Sequence, residues 1–215
     1  MSRRWLAERK SDPWYRKAKM EGYPSRAAYK LLYIQKKYNI IKEGDIVVDL
    51  GSAPGGMLSI ESELVGKHGT VLAIDTKEIR VSANNITKLS LNVLSPEAPK
   101  MIAKALDWRR CDVLISDISP NLSGIRELDA VRQLELVLRV IEISDLVLRR
   151  GGNILIKAFE CEELVKVERG LRRGFNFYKR VKTPPSTWKH NSEAYLMGLE
   201  KVQEGIYNII HADLQ

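Results

Sequence analysis

The sequence predicts an α/β protein, a mostly parallel sheet covered by helices on both faces. Three observations lead there. Short apolar runs alternate with amphipathic helical stretches along most of the chain, which is the pattern of strands joined by crossover helices. Polar residues stand at the ends of those runs, at Asp49, Asp75, Asp117 and Lys157, where sheets of this kind meet their ligands. The first run leads into a glycine-rich turn, "DLGSAPGG", that opens a helix.

Taken in order, the chain opens with a basic segment interleaved with aromatics. A helix begins after Ser25, a candidate N-cap, with Ala27, Ala28, Leu31, Leu32 and Ile34 on its apolar face; Gly44 closes that region. "DIVVDL" is the first strand, and Gly56 to Val65 a helix. Thr70 to Asp75 is the second strand, "ITKLSLNV" the third, and Pro96 to Leu106 a helix. Cys111 to Asp117 is a further strand, and Glu127 to Leu148 a long amphipathic helix ended by a Gly151-Gly152 turn. Asn153 to Phe159 is a strand, Glu162 to Gly170 a helix, "FNFYKRVK" a strand and "EAYLMGLEKV" the last one. No internal repeat or low-complexity block interrupts the series.

The 215 residues are 44% hydrophobic and 29% charged, which suits one domain with a substantial core. We expect a single domain over residues 1–215, with residues 1–24 as a basic extension. The net charge is +8, and its position says more than its size. Residues 1–30 carry nine Lys or Arg against three acids, and residues 172–190 carry six and none. Two basic segments on an otherwise mildly acidic body suggest a face for a polyanion, against the plainer reading of a solvated surface with a loose tail. Cys111 and Cys161 lack metal-ligand spacing and no secretory leader is visible, so both are expected as reduced thiols in a cytoplasmic protein, with no metal. No apolar run approaches membrane-spanning length.

Gly51, Gly55 and Gly56, with Pro54 among them, do not make the dinucleotide fingerprint, and no Lys-Ser/Thr follows to make a phosphate loop. Asp75 ends the next strand, where an acid accepts hydrogen bonds from ribose hydroxyls. A nucleoside without pyrophosphate fits such a turn, and S-adenosylmethionine is one. The alternative is a purely structural turn with a capping acid.

"PSRAAYKLLYI", "DLGSAPGG", "SDISPNLSG", "ILIKAF" and "NSEAYLM" occur in the order found in the FtsJ/RrmJ-like RNA ribose 2′-O-methyltransferases, which the chain resembles from about Trp14 to about Leu199. The resemblance implies a Rossmann-like methyltransferase fold and S-adenosylmethionine as methyl donor. It implies a catalytic tetrad that falls on Lys30, Asp117, Lys157 and Glu193. The reaction is displacement of a methyl group onto a ribose 2′-hydroxyl, a poor nucleophile that needs its proton removed or its oxygen oriented. Lys157 is the candidate for that task, with Asp117 fixing it and Lys30 and Glu193 positioning the ribose.

For the donor, the resemblance implies Gly55, Gly56, Asp75 and Asp117, with Asp49, Gly51 and Pro54 shaping the pocket. Two positions depart from the family pattern. Met57 stands where a Trp is common, and Asn92 where an acid near the adenine is common. Asn still offers a carbonyl to the adenine amino group.

An RNA acceptor agrees with the two basic segments, which lead into Lys30 and Glu193. Arg3, Arg4, Arg16, Lys17 and Lys19 are candidates for phosphate contacts; Trp5, Trp14, Tyr15, Tyr23 and Trp188 are candidates for stacking on bases or for covering the core edge. The short chain most resembles the branch acting on a uridine of large-subunit (23S-type) ribosomal RNA, as a monomer. Transfer RNA as acceptor, or a non-catalytic ribosome-assembly protein, are the alternatives. A nicotinamide-dependent dehydrogenase disagrees with the glycine spacing and with a lysine ending a strand.

Overall fold

The computed structural model describes residues 12–184 and 193–214. Among these, seven strands form one sheet in the order β3-β2-β1-β4-β5-β7-β6. They are β1 (Ile46–Leu50), β2 (Thr70–Asp75), β3 (Ile86–Ser90), β4 (Cys111–Ser116), β5 (Leu148–Phe159), β6 (Phe175–Val181) and β7 (Glu193–Lys201). The first five run parallel; β7 is antiparallel to both β5 and β6. The helices are α1 (Pro13–Met20), α2 (Ala27–Tyr38), α3 (Gly56–Val65), α4 (Ala98–Ala105), α5 (Arg126–Val147), α6 (Leu164–Gly174) and α7 (Ile206–Leu214).

Alternation along the strands divides the core. Val48, Leu50, Leu72, Ile74 and Leu114 face α4, α5, α6 and α7. Val47, Val71, Val113, Ile115 and Leu155 face α2 and α3. Strands buried on both faces read as unbroken apolar runs, which is why β1, β2 and β4 are plain in the sequence. Chain order reverses between β1 and β4, so a crevice opens beyond their carboxyl ends.

Several expectations shift. Gly151 and Gly152 do not end an element: β5 starts at Leu148, directly after α5, and the glycines lie inside it at a register shift against β4. A Cβ on Gly152 would stand 2.8 Å from the Asp112 carbonyl oxygen, so the bulge, not a turn, requires glycine. Residues 91–93 leave the third strand, α4 is shorter than Pro96–Leu106, and α6 runs on to Gly174. Ser25 is one residue short of the cap position, although its hydroxyl accepts the Ala27 N–H at 3.3 Å. Helices α1 and α7 were not anticipated. In α1, Asp12 caps Trp14 at 2.9 Å and Tyr15 at 3.4 Å, with Pro13 at the first position. The basic extension is therefore docked on the domain from Asp12 onward: Asp12 pairs with Arg26, and Trp14 packs on Tyr29.

Candidate functional site

The four tetrad candidates come from four separate elements. Lys30 lies on the buried face of α2, and Asp117 directly follows β4. Lys157 is near the end of β5, where register sets it opposite Tyr195; Glu193, opposite Phe159, begins β7. Asp117 follows Ser116, itself paired with Ile156, so the parallel register carries the acid beside Lys157.

The side chains meet. Lys30 Nζ lies 2.6 Å from Glu193 Oε1 and 3.8 Å from Asp117 Oδ1. Lys157 Nζ lies 3.2 Å from Asp117 Oδ1 and donates to the Asp117 carbonyl oxygen at 2.6 Å. Lys30, Lys157 and Glu193 are only 4%, 5% and 6% exposed. Two ammoniums and two carboxylates balance, as buried charges must. Burial alone would push the Asp117 carboxyl up. The Lys157 and Lys30 charges, with a hydrogen bond from Tyr195, outweigh it and hold Asp117 at about 2. Asp117 is thus a carboxylate at any working pH and remains an acceptor for its neighbours.

Two residues complete the cluster that sequence reasoning missed. The Tyr195 hydroxyl donates to Asp117 Oδ1 at 2.5 Å, and Lys30 Nζ lies 5.5 Å from its ring centroid. Burial first, then the Asp117 and Glu193 charges, push the Tyr195 phenol well above its usual value, which keeps it a donor. The signal was present: Tyr195 is two residues after Glu193 on one strand, hence on the same face. Gln133 of α5 had no such signal. Its amide nitrogen donates to the Lys157 carbonyl at 2.8 Å and the Ile118 carbonyl at 3.3 Å, tying β5 to the loop after β4.

Next to the tetrad, at the ends of β1, β2 and β4, lies a cavity of about 710 Å³. Asp75, Asn92 and Asp117 supply polar atoms; Ile74, Leu91, Ile118 and Leu136 supply apolar walls; Gly51 contributes backbone. Asp75 accepts the Ala53 N–H at 2.9 Å and the Lys77 N–H at 2.8 Å, which fixes its carboxylate at the rim. Asn92 Oδ1 accepts the Leu94 N–H at 3.0 Å, so one of its lone pairs is already engaged. The loop after Asp117 is held by Asp129, which accepts from the Ser123 and Gly124 amides at 2.7 and 3.2 Å.

Five of the expected donor-site residues do not line this cavity: Asp49, Pro54, Gly55, Gly56 and Met57. Met57 is 3% exposed and packs in the core under α3, so no aromatic-like platform is offered there. The paired glycines have a packing reason. A Cβ on Gly55 would lie 2.4 Å from Val81 Cγ2, and one on Gly56 would lie 2.0 Å from Ser25 Oγ. Gly55 also has φ of 116°. Asp49 turns away from the cavity toward Glu61 of α3. Both are buried, and none of their four carboxyl oxygens has a hydrogen-bond partner; the nearby Ser52 hydroxyl donates instead to the Asp49 carbonyl at 2.8 Å. Burial first, then the charges of Asp117 and Asp75, push Asp49 up to about 7; burial and Asp49 push Glu61 well above its usual range.

Among the RNA-contact candidates, Arg16, Lys17 and Lys19 are exposed on α1. Lys17 is partly committed, 3.9 Å from Glu21 and over the Tyr29 ring at 4.8 Å. Trp14 and Tyr23 pack on Tyr29 at 5.4 and 5.8 Å between centroids, which favours the core-edge reading for both. Arg3, Arg4, Trp5 and Trp188 lie outside the described residues. Both cysteines are free, Cys111 buried and Cys161 partly so. Among the described residues no helix is long and apolar enough to cross a membrane, and no His/Cys/Asp/Glu group could hold a metal ion.

Residues 23–201 match the profile of a family described as FtsJ-like methyltransferase. The chain is 45% identical, over 98% of its length and 100% of the relative's, to the Ribosomal RNA large subunit methyltransferase E of Methanothermobacter thermautotrophicus. It is 39% identical to the proteins of that name from Methanobrevibacter smithii and Coxiella burnetii, over 93% of this chain and 95% of each. Among solved structures it resembles a ribosomal RNA methyltransferase from Plasmodium falciparum, with a TM-score of 0.75 and 21% identity over 85% of this chain and 100% of that one. It also resembles Aeropyrum pernix fibrillarin, solved with S-adenosyl-L-methionine bound, with a TM-score of 0.52 and 17% identity over 80% of this chain and 73% of that one.

Proposed function

The chain belongs to the FtsJ-like methyltransferase family, and from that premise we propose that it transfers a methyl group from S-adenosylmethionine to a ribose 2′-hydroxyl of RNA, a uridine of large-subunit ribosomal RNA. The observation that carries the reading is the buried cluster of Lys30, Asp117, Lys157 and Glu193 beside a cavity rimmed by Asp75.

The cavity fits the donor by size and by the chemistry of its walls. Asp75 suits a ribose diol, the apolar walls with Asn92 suit an adenine, and the Asp117 carboxylate suits a positive charge. Bound there, the donor supplies a methyl group on a positively charged sulfur. The residues of this chain do the rest. Lys30 and Glu193 hold the acceptor ribose at the mouth. Lys157 is fixed by two acceptors, the Asp117 carbonyl and carboxylate, which sets the direction of its remaining coordination site. As an ammonium, Lys157 donates through that site to the 2′-oxygen and orients it; once it has released a proton to solvent, the neutral amine would accept the 2′-hydroxyl proton, leaving the oxygen free to take the methyl group that the donor would supply. Tyr195 keeps Asp117 from swinging toward either lysine alone.

The test is incubation with methyl-labelled S-adenosylmethionine and large ribosomal subunits lacking the modification, with transfer RNA as a second arm. Label should enter large-subunit RNA at a linkage that becomes resistant to alkali, because the 2′-oxygen is blocked. Lys157→Ala should lower the rate about 10²- to 10⁴-fold. No label in that RNA, an alkali-sensitive product, or full activity of Lys157→Ala would overturn the reading.

A further inference from the structure

Away from the tetrad, α2 and the edge strand β6 carry a strip of aromatic rings and lysines that the proposed chemistry does not use. Lys37 Nζ lies 6.0 Å from the Tyr33 ring centroid and 5.5 Å from that of Tyr38. Lys179 lies 5.9 Å from Tyr38, and Tyr38 meets Phe177 at 6.4 Å between centroids. Tyr33 is 37% and Phe177 44% exposed. Lys36, Lys37 and Lys179 are exposed and pair with no acid among the described residues. Tyr38 is half-buried against the core, but a core explanation fails for rings as open as Tyr33 and Phe177, and an ion-pair explanation fails for lysines without partners.

The charge is one-sided by sequence. Gly22 to Lys42 contains no acid, and neither does Arg169 to Ser192. These two segments supply the whole strip. Glu200, at the far end of β7, is held by Asn176 at 3.0 Å. The strip also points at the site. Its α2 residues share that helix with Lys30, and Lys30 to Tyr38 spans about 12 Å along it. On the sheet, β6 runs antiparallel to β7, so Lys179 and Phe177 lie progressively below Glu193.

Exposed ring faces interleaved with unpaired ammoniums are what unstacked bases and their phosphates require. Duplex RNA hides its base faces and would leave the rings unused. Resting on the proposed RNA substrate, we infer that Tyr33 and Phe177, with Tyr38 anchoring the lysines between them, stack bases of single-stranded RNA flanking the target nucleotide, while Lys36, Lys37 and Lys179 meet its phosphates. The strip selects an acceptor whose target ribose sits in an unpaired stretch.

The full chain is titrated, by fluorescence anisotropy, into a labelled oligouridylate of roughly ten nucleotides over a range of salt. The Tyr33→Ala/Phe177→Ala pair should weaken binding by at least about 30-fold without changing the salt slope. Lys37→Gln/Lys179→Gln should flatten the slope by about 1.4. Melting temperature and S-adenosylmethionine binding, which read folding and the cavity, should stay at the wild-type level in both double variants. Failure of the wild type to bind the oligouridylate, or equal affinity and slope in both variants, overturns the track and leaves the strip to a protein partner. Because the readout is binding and not methyl transfer, it stands apart from failure of the proposed reaction.

Discussion

Asp49 and Glu61 bury two carboxyls against each other, and none of the four oxygens has a hydrogen-bond partner. Such a pair is tolerable only while at least one proton is held between them. Its effect on stability has a definite sign. Folding raises the proton affinity of both groups, Asp49 from the usual 3.8 to about 7 and Glu61 well above the ordinary carboxylate range. The stabilisation is therefore full at acid pH and is lost as pH rises from about 4 through 7. Glu61→Gln supplies an amide N–H to Asp49 and removes the need for a bound proton. We expect its melting temperature at pH 8 to exceed the wild type's by at least about 2 °C, and the two to converge near pH 5. Equal or lower melting at pH 8 would show that the pair is not proton-linked. Neither residue announces this in sequence. Asp49 reads as one more strand-end acid, and Glu61 as an ordinary polar residue of an amphipathic helix. Asp117 was legible for the opposite reason, because the chain segment around it is distinctive before it folds.

At the scale of elements, α6 and α7 interlock through glycine. Gly170 and Gly174, one turn apart, leave room for Ile210 and Ile206 of α7; added Cβ atoms would lie 2.1 and 2.4 Å from those side chains. Gly170→Ala should cost about 1–3 kcal/mol, read as a drop of several degrees in melting temperature. Ile210→Ala, which removes the γ carbon that this Cβ would meet, should cost less in the Gly170→Ala chain than alone, and strictly additive losses would refute the contact. Helix α7 shows why some elements escape sequence reading. Its first amides are capped by Asp145, at 3.2 Å to Ile206 and 2.9 Å to Tyr207, from a helix 61 residues or more away. The buried Lys201 ties the same corner, donating to the Ser144 and Leu148 carbonyls at 3.1 and 3.4 Å. Glu200 has φ of 58°, which breaks the strand's alternation and lets Lys201 reach that side. Helix α1 also lies outside the expected series, although its Asp12-Pro13 start signal is local.

Over the whole molecule, the acid-free stretches Gly22 to Lys42 and Arg169 to Ser192 give α2 and β6 an excess of Lys and Arg, to which α1 adds Arg16, Lys17 and Lys19. Arg16 and Lys19 are exposed with no ion-pair partner among the described residues, whereas Lys17 is shared with Glu21 and two rings. Alanine at Arg16 and Lys19 together should weaken binding to a ribosomal RNA fragment and reduce the salt slope by about 1.4, with a smaller effect from Lys17→Ala. An unchanged slope, measured by the same anisotropy titration, would remove α1 from the RNA face.

The sequence by itself determined the α/β class, the strands buried on both faces, the uneven charge and the four tetrad candidates. Each of these is written locally, in apolar runs, composition or short motifs. Only the tertiary structure decided that Gly55 and Gly56 make room for Val81 and Ser25, that Met57 belongs to the core, that Asp49 faces Glu61, and that Tyr195 and Gln133 support the tetrad. These depend on which side chains from distant segments share a space once the sheet closes. Burial then changes what a residue does: it turns a carboxyl into a proton holder, a glycine into clearance and a tyrosine into a donor.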